Sequence, residues 1–524
     1  MIYKKISKQN LIWHLLGAVI IILSVYLRFS GIGYESLWFD EGYTYAVSQL
    51  PFDKLITPFD VHPPLFYIVE SFFVSPGVSE ELLRLPSVLA STLSVMLIYV
   101  LANILFGARG AVIAVIFIGL SFTHLTYSAN ARNYAMLLLF FSIACFSLAK
   151  LYEYSIKDIW PKYKANALLI SYFISAVACL YTHNISVIHL TVLNIVVLIF
   201  SALNWRTLKR KYIFGYIILN LGIFICWMPW LSVLIGTTDE FGWLTQPSII
   251  DAARQALSLI GPKRISLWLV IPNLLLLAVA MIYTFIKSDN FLKIIILTTI
   301  IGIPMAVFSV GYIKPLYMER TILPALFGFA LCLGFFISKL RGKILPLLIT
   351  IFFTLSCGLS AFEYHIRTLD SDNVGGRLSQ NWRDALHSGN KNEIFIIDSF
   401  SIPVASYYVS DKQKINIYDN GQILPATLDS WKSYFTSPIK VKRAYGVNFA
   451  GFLRQEKNYV KEETFPKNIT VIKVKVFTKE SRLDPYNSYL ATSDYEVFLL
   501  KNGYELKETV DLAGLTLERY ILKL

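Results

Sequence analysis

The sequence predicts a polytopic α-helical membrane protein that ends in a smaller, polar α/β domain. Three observations carry that expectation. The chain is 55% hydrophobic and 16% charged, with a mean hydropathy of +0.54, whereas a soluble chain carries about 25% charged residues. Apolar stretches long enough to cross a bilayer, roughly 17–25 residues each, recur from residue 11 to residue 362. Beyond Glu363 the chain turns polar and mixed up to its last residue.

In order, the apolar stretches are 11–29, 85–106, 111–127, 134–151, 167–181, 185–203, 212–235, 266–286, 291–311, 321–337 and 344–362. This predicts about eleven transmembrane helices. The first is longer than the apolar core of a cleaved leader and lacks a small-residue cleavage site after it, so it reads as a retained span.

Lysine and arginine near span ends set orientation. With the N-terminus (Lys4, Lys5, Lys8) in the cytoplasm, the other basic connections fall on that side. They are Arg109; Lys157, Lys162 and Lys164; Arg206, Lys209, Arg210 and Lys211; Lys287 and Lys293; and Lys339, Arg341 and Lys343. The net charge of +13 is thereby explained by membrane orientation, and no basic module interleaved with aromatics points to nucleic acid.

The same orientation places a long first loop, 30–84, outside the cytoplasm, together with the turns near Arg132 and His183, the loop 236–264 and the turn 312–320. Within the first loop, residues 42–50 carry apolar side chains at helical spacing, which predicts an amphipathic helix lying along the membrane interface. Two domains follow: a membrane domain, 1–362, and an extracytoplasmic α/β domain, 363–524. In the latter, 393–400 reads as a buried strand and 470–478 alternates as a half-buried strand. Asp494 can cap a helix that stops at Asn502-Gly503, and Ala513-Gly514 separates two final strands. The five cysteines lie in apolar runs, none in a CxxC pair, and read as packing residues with neither disulfide framework nor zinc site.

Polar residues at the outer ends of the spans form the candidate site. Asp40 and Glu41 follow the first span, Asp60 and His62 precede Pro63-Pro64, and Arg132, His183 and Arg320 reach the same face. A carboxylate among cations at a membrane surface suits a reaction on a lipid-linked phosphate. The acid removes a proton from a nucleophile, and arginine and histidine stabilise the departing phosphate. Each residue also has a structural reading. Asp40-Glu41 can open a helix, Asp60 can start the Pro63-Pro64 turn, Arg132 can anchor at the interface, His183 can be a satisfied core histidine, and Arg320 can pair with Glu319. Their convergence on one face favours the chemical reading. No P-loop, GxSxG or HExxH motif is present.

At these residues the chain resembles bacterial family 39 glycosyltransferases of the GT-C superfamily, relatives of the protein O-mannosyltransferases, the lipid A aminoarabinose transferases and the RgtA-like galacturonosyltransferases. The similar segments are Trp38-Phe39-Asp40-Glu41, His62-Pro63-Pro64-Leu65, Arg84-Leu85-Pro86-Ser87, Ala131-Arg132-Asn133-Tyr134, and Glu319-Arg320 followed by Pro324. The resemblance covers roughly the first 340 residues. It implies a GT-C fold and inverting transfer of one sugar from a polyprenyl-phosphate donor to a glycan, lipid or protein acceptor. It makes Asp40 the catalytic base, with Glu41 orienting Asp40 or the acceptor. Arg132 and Arg320 hold the donor phosphate, with Tyr134 beside them. His62 assists or contributes to a divalent metal site, for which the family is mixed. The aminoarabinose transferases carry an acid and a base directly before the paired prolines; here the pair is Val61-His62, with Asp60 one place earlier. The rival readings are a ligase or polymerase of lipid-linked oligosaccharides and a polyprenyl-lipid flippase.

Overall fold

The structure, a computed structural model, describes residues 8–56, 62–75, 77–236, 246–261, 267–369, 380–389, 393–399, 401–410, 413–419, 422–436, 467–474, 495–512 and 515–523. The chain runs α1 (Lys8–Phe29), α2 (Phe39–Ser48), α3 (Phe52–Leu55), α4 (Leu65–Glu70), α5 (Glu80–Phe106), α6 (Ala108–Gly119) and α7 (Phe122–Ser128). Then come α8 (Tyr134–Ile156), α9 (Lys162–Thr182), α10 (Ser186–Leu203), α11 (Arg210–Gly236), α12 (Ile249–Leu257) and α13 (Leu267–Lys287). Helices α14 (Asn290–Ile296) and α15 (Ile303–Gly311) form one span through a π-helical stretch, Leu297–Gly302. A 3-10 turn, Glu319–Ile322, precedes α16 (Pro324–Lys339) and α17 (Ile344–Leu369).

Each of the eleven expected stretches is helical. Among the described residues nine helices are long and apolar enough to cross a membrane, so the protein is an integral membrane protein. The other two stretches differ from simple spans. The third is a bent pair, α6 and α7, turned by 61° at the break, and the tenth, α16, is shorter than the rest.

The break has a visible cause. Ser121 caps α7 by accepting the His124 N–H at 3.3 Å, and buried Arg28 from the end of α1 enters the gap. Its guanidinium donates to the Gly119 and Ser24 carbonyls, at 3.0 and 2.9 Å, to the Ser91 and Ser24 hydroxyls, and to His124. A carbonyl freed inside an apolar bundle needs such a partner. Helix α6 is buried on every residue except Arg109, which marks it as the centre of the bundle. It crosses α16 closely: a Cβ on Gly110 would meet the Gly334 carbonyl oxygen at 2.6 Å, and one on Gly334 would meet that of Gly110 at 2.9 Å. At the periphery, Phe214, Ile218, Ile225 and Met228 of α11 face outward, as lipid-facing residues do. All five cysteines are free; Cys145, Cys179, Cys332 and Cys357 are buried and Cys226 is exposed.

The C-terminal part contains α18 (Trp382–His387), β1 (Ile394–Ile396), α19 (Ile402–Tyr408), β2 (Lys414–Asp419), β3 (Gln422–Pro425) and α20 (Leu428–Thr436). It ends with β4 (Asn468–Val474), α21 (Tyr495–Lys501), β5 (Tyr504–Leu512) and β6 (Leu515–Leu522). The strands form one mixed sheet in the order β3-β2-β1-β4-β6-β5, with β1 parallel to both β2 and β4. Helix α21 stops at Asn502-Gly503, where Gly503 has φ +84°; the expected cap, Asp494, is outside the described residues. Of the alternation read in 470–478, residues 475–478 lie outside the described residues, and burial does not show it in 470–472. Thr470, Val471 and Ile472 are all buried, because β4 is an interior strand covered on both faces.

The expected interfacial helix is also different. Every residue of α2 from Glu41 to Ser48 is buried, because the helix is held between α4 of the same loop and α19 of the sheet domain. Its contact with α19 is so close that a Cβ on Gly42 would meet the Val404 backbone nitrogen at 2.6 Å. Gly42→Ala therefore gains helix propensity, about 1 kcal/mol, but forces two backbones apart, at about 1–3 kcal/mol. The net expectation is a lower melting temperature for the detergent-solubilised protein; an unchanged or higher one sinks this account.

Candidate active site

Helix α2 begins where the extended residue Trp38 (φ −96°, ψ 173°) turns into the helix, with Asp40 and Glu41 in the first turn, where acidic groups meet the positive end of the dipole. Successive helical residues point in different directions, and these two carboxylates have opposite surroundings.

Asp40 keeps a partly exposed side chain (20%), near two guanidinium groups. Its Oδ2 is 3.8 Å from Arg132 Nε and 4.0 Å from Arg320 Nη1. Arg132 also donates from Nη1 to the Asp40 carbonyl at 3.3 Å and from Nη2 to His62 Nε2 at 3.2 Å. Since arginine can only donate, His62 accepts through Nε2. The Arg320 guanidinium lies over the Tyr134 ring at 5.3 Å, a cation–π contact. Tyr134 is flanked by Tyr127 and His183, with ring centroids at 5.4 and 5.7 Å, and His183 faces His62 at 6.1 Å. His183 Nδ1 accepts the Ile185 N–H at 3.0 Å. Burial first, then the neighbouring His62, Arg320 and Arg132, hold this imidazole well below the ordinary histidine range, so it is neutral at pH 7.

Glu41 is 1% exposed and engaged elsewhere. Its two oxygens receive Arg84 Nε and Nη2, both at 2.7 Å, in the forked geometry of a strong pair. Its Oε1 also accepts the Ala131 N–H at 2.8 Å, one residue before Arg132. The remaining Arg84 protons go to the carbonyls of Ile32 and Glu35, at 2.6 and 2.9 Å, and of Ser36 at 3.3 Å, so all five guanidinium donors are used. Glu41 therefore does not sit beside Asp40 in the site; it fixes the first loop to the Arg132 turn. Glu70 at the end of α4 is fully buried, with neither carboxyl oxygen hydrogen-bonded among the described residues. Burial, then the nearby Glu41 carboxylate, raise Glu70 well above the carboxylic acid range, so it is protonated in the folded protein.

Beside the polar cluster lies an apolar cavity of about 650 Å³, lined by Pro64 and Leu65 of the first loop, by Phe173, Val177 and Tyr181 of α9, and by Trp230 of α11. The cavity adjoins the site through its own lining: Pro64 follows His62 by two residues, and the Trp230 indole donates to Asn184, the neighbour of His183, at 3.0 Å. The α9 residues from Phe173 to Tyr181 carry it down the helix by about 12 Å, at 1.5 Å per residue.

The structure brings together Asp40, His62, Arg132, Tyr134, His183 and Arg320. Arg320 turns to Asp40 and Tyr134, and Asp60 lies outside the described residues. Among the described residues no group of three or more His, Cys, Asp or Glu side chains could hold a metal ion. Sequence reasoning placed Arg84 only within a similar segment and assigned it no partner. It missed Glu70 altogether, whose only signal is an acid at the end of an otherwise apolar run, LFYIVE.

Residues 61–230 match the family described as dolichyl-phosphate-mannose-protein mannosyltransferase. That stretch includes His62, Arg84, Arg132, Tyr134 and His183. The fold is similar over the whole chain to ArnT from Cupriavidus metallidurans in its apo state (TM-score 0.57, 11% identity, 96% of this chain and 97% of that one). It is similarly close to the same enzyme bound to undecaprenyl phosphate (TM-score 0.55, 12% identity, with the same coverage). No curated protein sequence matches the chain. The fold is that of the GT-C superfamily glycosyltransferases.

Two substitutions test the buried layer. Arg84→Met leaves Glu41 charged and unpaired, at a cost of about 3–5 kcal/mol, read as a large fall in melting temperature; a change under a degree contradicts the pair's role. Glu70 binds its proton more tightly folded than unfolded. Its stabilisation is therefore complete in acid, below the unfolded value, and is lost as pH rises through the raised folded one. Glu70→Gln removes that loss, so the variant's melting temperature relative to wild type climbs from pH 5 to pH 8. The rise corresponds to about 1.4 kcal/mol for each unit of the shift traversed. A difference independent of pH would place Glu70 in water or in a pair.

Proposed function

We propose that this protein, an integral membrane protein with the GT-C glycosyltransferase fold, is an inverting transferase that moves one sugar from a polyprenyl-phosphate carrier to an acceptor hydroxyl. The reaction takes place on the outer face of the cytoplasmic membrane. One observation carries the reading: a partly exposed carboxylate, Asp40, flanked by Arg132 and Arg320 next to an apolar cavity. The undecaprenyl phosphate bound by the similarly folded ArnT supports the class of carrier.

The isoprene units nearest the phosphate occupy the cavity between α9, α11 and Pro64-Leu65, whose surface matches them in polarity. The phosphate lies between the Arg132 and Arg320 guanidinium groups and takes over their charge, freeing Asp40 to accept a proton. Asp40 removes the proton of the acceptor hydroxyl as its oxygen attacks C1 of the sugar. The new bond forms opposite the C1–O(phosphate) bond, which breaks with its electron pair passing to polyprenyl phosphate, so the anomeric configuration inverts. The guanidinium groups stabilise the charge that grows on that phosphate. The neutral His183 donates through Nε2, since Nδ1 is taken by Ile185, and so contributes a hydrogen bond without a further charge. The N-terminus and the basic connections face the cytoplasm, and the sheet domain stands outside with the site. A flippase reading finds less support, because the site's charges gather at one end of the bundle rather than along a path through it.

Transfer is measured in proteoliposomes from a panel of radiolabelled polyprenyl-phosphate monosaccharides, with cell-envelope extract as acceptor. Wild type moves label from one of them. Asp40→Asn, folded and reconstituted equally, loses about 10²–10⁴-fold in kcat, and Arg320→Ala loses about 10²–10³-fold. Full activity of Asp40→Asn excludes it as the base. Transfer only from a diphosphate-linked oligosaccharide replaces the monosaccharide donor with a ligase reaction.

A further inference from the structure

Residues 30–38, which lead into α2 and Asp40, form neither helix nor strand, and a run of their carbonyls together with two amides up to Phe39 is held by side chains from other elements. The carbonyls of Ile32, Gly33, Tyr34, Glu35 and Ser36 are divided between two arginines. Arg84, from α5 of the membrane domain, takes Ile32, Glu35 and Ser36. Arg383, from α18 of the sheet domain, takes Gly33 at 2.9 Å and Tyr34 at 3.0 Å.

Two amides in this stretch are bound by the sheet domain as well. The Tyr408 hydroxyl accepts the Leu37 N–H at 2.6 Å, and Gln380 Oε1 accepts the Phe39 N–H at 3.1 Å. Glu80, at the start of α5, ties these groups together: its Oε1 receives Arg383 Nη2 at 2.6 Å and the Tyr408 hydroxyl at 2.8 Å. The Arg383 amide donates to Ser36 Oγ at 3.2 Å, and the α2–α19 contact at Gly42 and Val404 closes the clamp on the far side of Asp40.

We propose that the sheet domain is part of the catalytic apparatus, with Arg383 and Tyr408 as positioning residues that set Asp40 against Arg132 and Arg320 by gripping the backbone of residues 33–39. This rests on the reading of Asp40 as the base. The loop's own backbone bonds, such as Tyr34 N–H to the Gly31 carbonyl, leave five carbonyls and two amides to these outside partners, and a displacement of about 1 Å at a reacting group costs on the order of 10²-fold in rate. The soluble part of the chain thus acts on the chemistry through the loop, whatever it does for the acceptor.

The test uses the full-length protein in three forms, Tyr408→Phe, Arg383→Ala and Arg383→Lys, alone and combined with Asp40→Asn. Amide exchange is followed by mass spectrometry, and transfer is assayed with the donor that supports wild-type activity. Binding of undecaprenyl phosphate serves as the probe of the phosphate site. Tyr408→Phe removes one oxygen and preserves packing, so it decides the matter even if Arg383→Ala folds poorly. Exchange in residues 33–41 quickens while that of α5 and α8 is unchanged. The kcat falls about 10- to 100-fold, with the donor KM and undecaprenyl phosphate affinity within about threefold, and Arg383→Lys lies between Arg383→Ala and wild type. In the Asp40→Asn background Tyr408→Phe costs nothing more, as residues acting through one group do. Unaltered exchange in 33–41, or a wild-type kcat in Tyr408→Phe, overturns the proposal, as does a loss confined to KM. If instead Asp40→Asn alone stays active, the base assignment fails, and the exchange result still reports on the clamp.

Discussion

Much of this molecule depends on one buried ion pair. Arg84 and Glu41 lie forty-three residues apart, belong to a span and to the first loop, and meet with both partners almost fully withdrawn from solvent. Desolvation makes such pairs poor contributors to net stability. Their value here is geometric. Glu41 binds Arg84 by two parallel hydrogen bonds and the Ala131 amide by a third, while Arg84 spends its other donors on the loop's carbonyls. Three separate segments, the Asp40 turn, the start of α5 and the Arg132 turn, are thereby locked at one level. The neighbouring carboxylate stays available because Glu41 absorbs the structural load.

The same layer shows how charge is rationed. Near the mouth of the cavity, among the described residues, the partly exposed Asp40 stands with two arginines, a neutral His183 and an accepting His62. One helix away, Glu70 is kept protonated by burial and by Glu41. A second ionised acid in that position would stand against the Glu41 carboxylate, on which the anchoring of the first loop relies. Aromatic rings provide the remaining scaffold: Tyr134, with Tyr127 edge-on to it and His183 tilted against it, carries the Arg320 guanidinium on its face without spending a further charge.

What could be read from the sequence follows the range of the forces involved. Spans are legible because twenty apolar residues in a row have few other uses, and all eleven segments are helical. The break after Gly119 was not, since Phe122-Thr123-His124 continues the apolar run; what opens the helix there is Arg28, ninety-one positions from the carbonyl it binds. Asp40, Arg132, His183 and Arg320 could be grouped because topology places span ends at one level, which requires no knowledge of contacts. The partners of Glu41 and the burial of Gly42 were hidden for the opposite reason. An acid in a first helical turn and a glycine in an amphipathic run look solvent-exposed until a distant element covers them. Here those elements are α5 and, some 360 residues later, α19. Strand β4 misled for a related reason: alternation describes a strand with one wet face, and residues 469–472 of β4 are buried on both.

The division of the carbonyls of residues 32–36 between an arginine of the bundle and an arginine of the sheet domain bears on how such proteins can be recombined. Exchanging the C-terminal domain for another looks like a modular operation, since the domain follows α17 in the chain. It is not, because the seam runs through the backbone that presents Asp40. A grafted domain has to bring a guanidinium and a hydroxyl to the places of Arg383 and Tyr408, and a backbone close enough to accept Gly42. Whatever varies elsewhere on the sheet domain, the side that meets residues 33–39 is held to a fixed pattern of donors and acceptors.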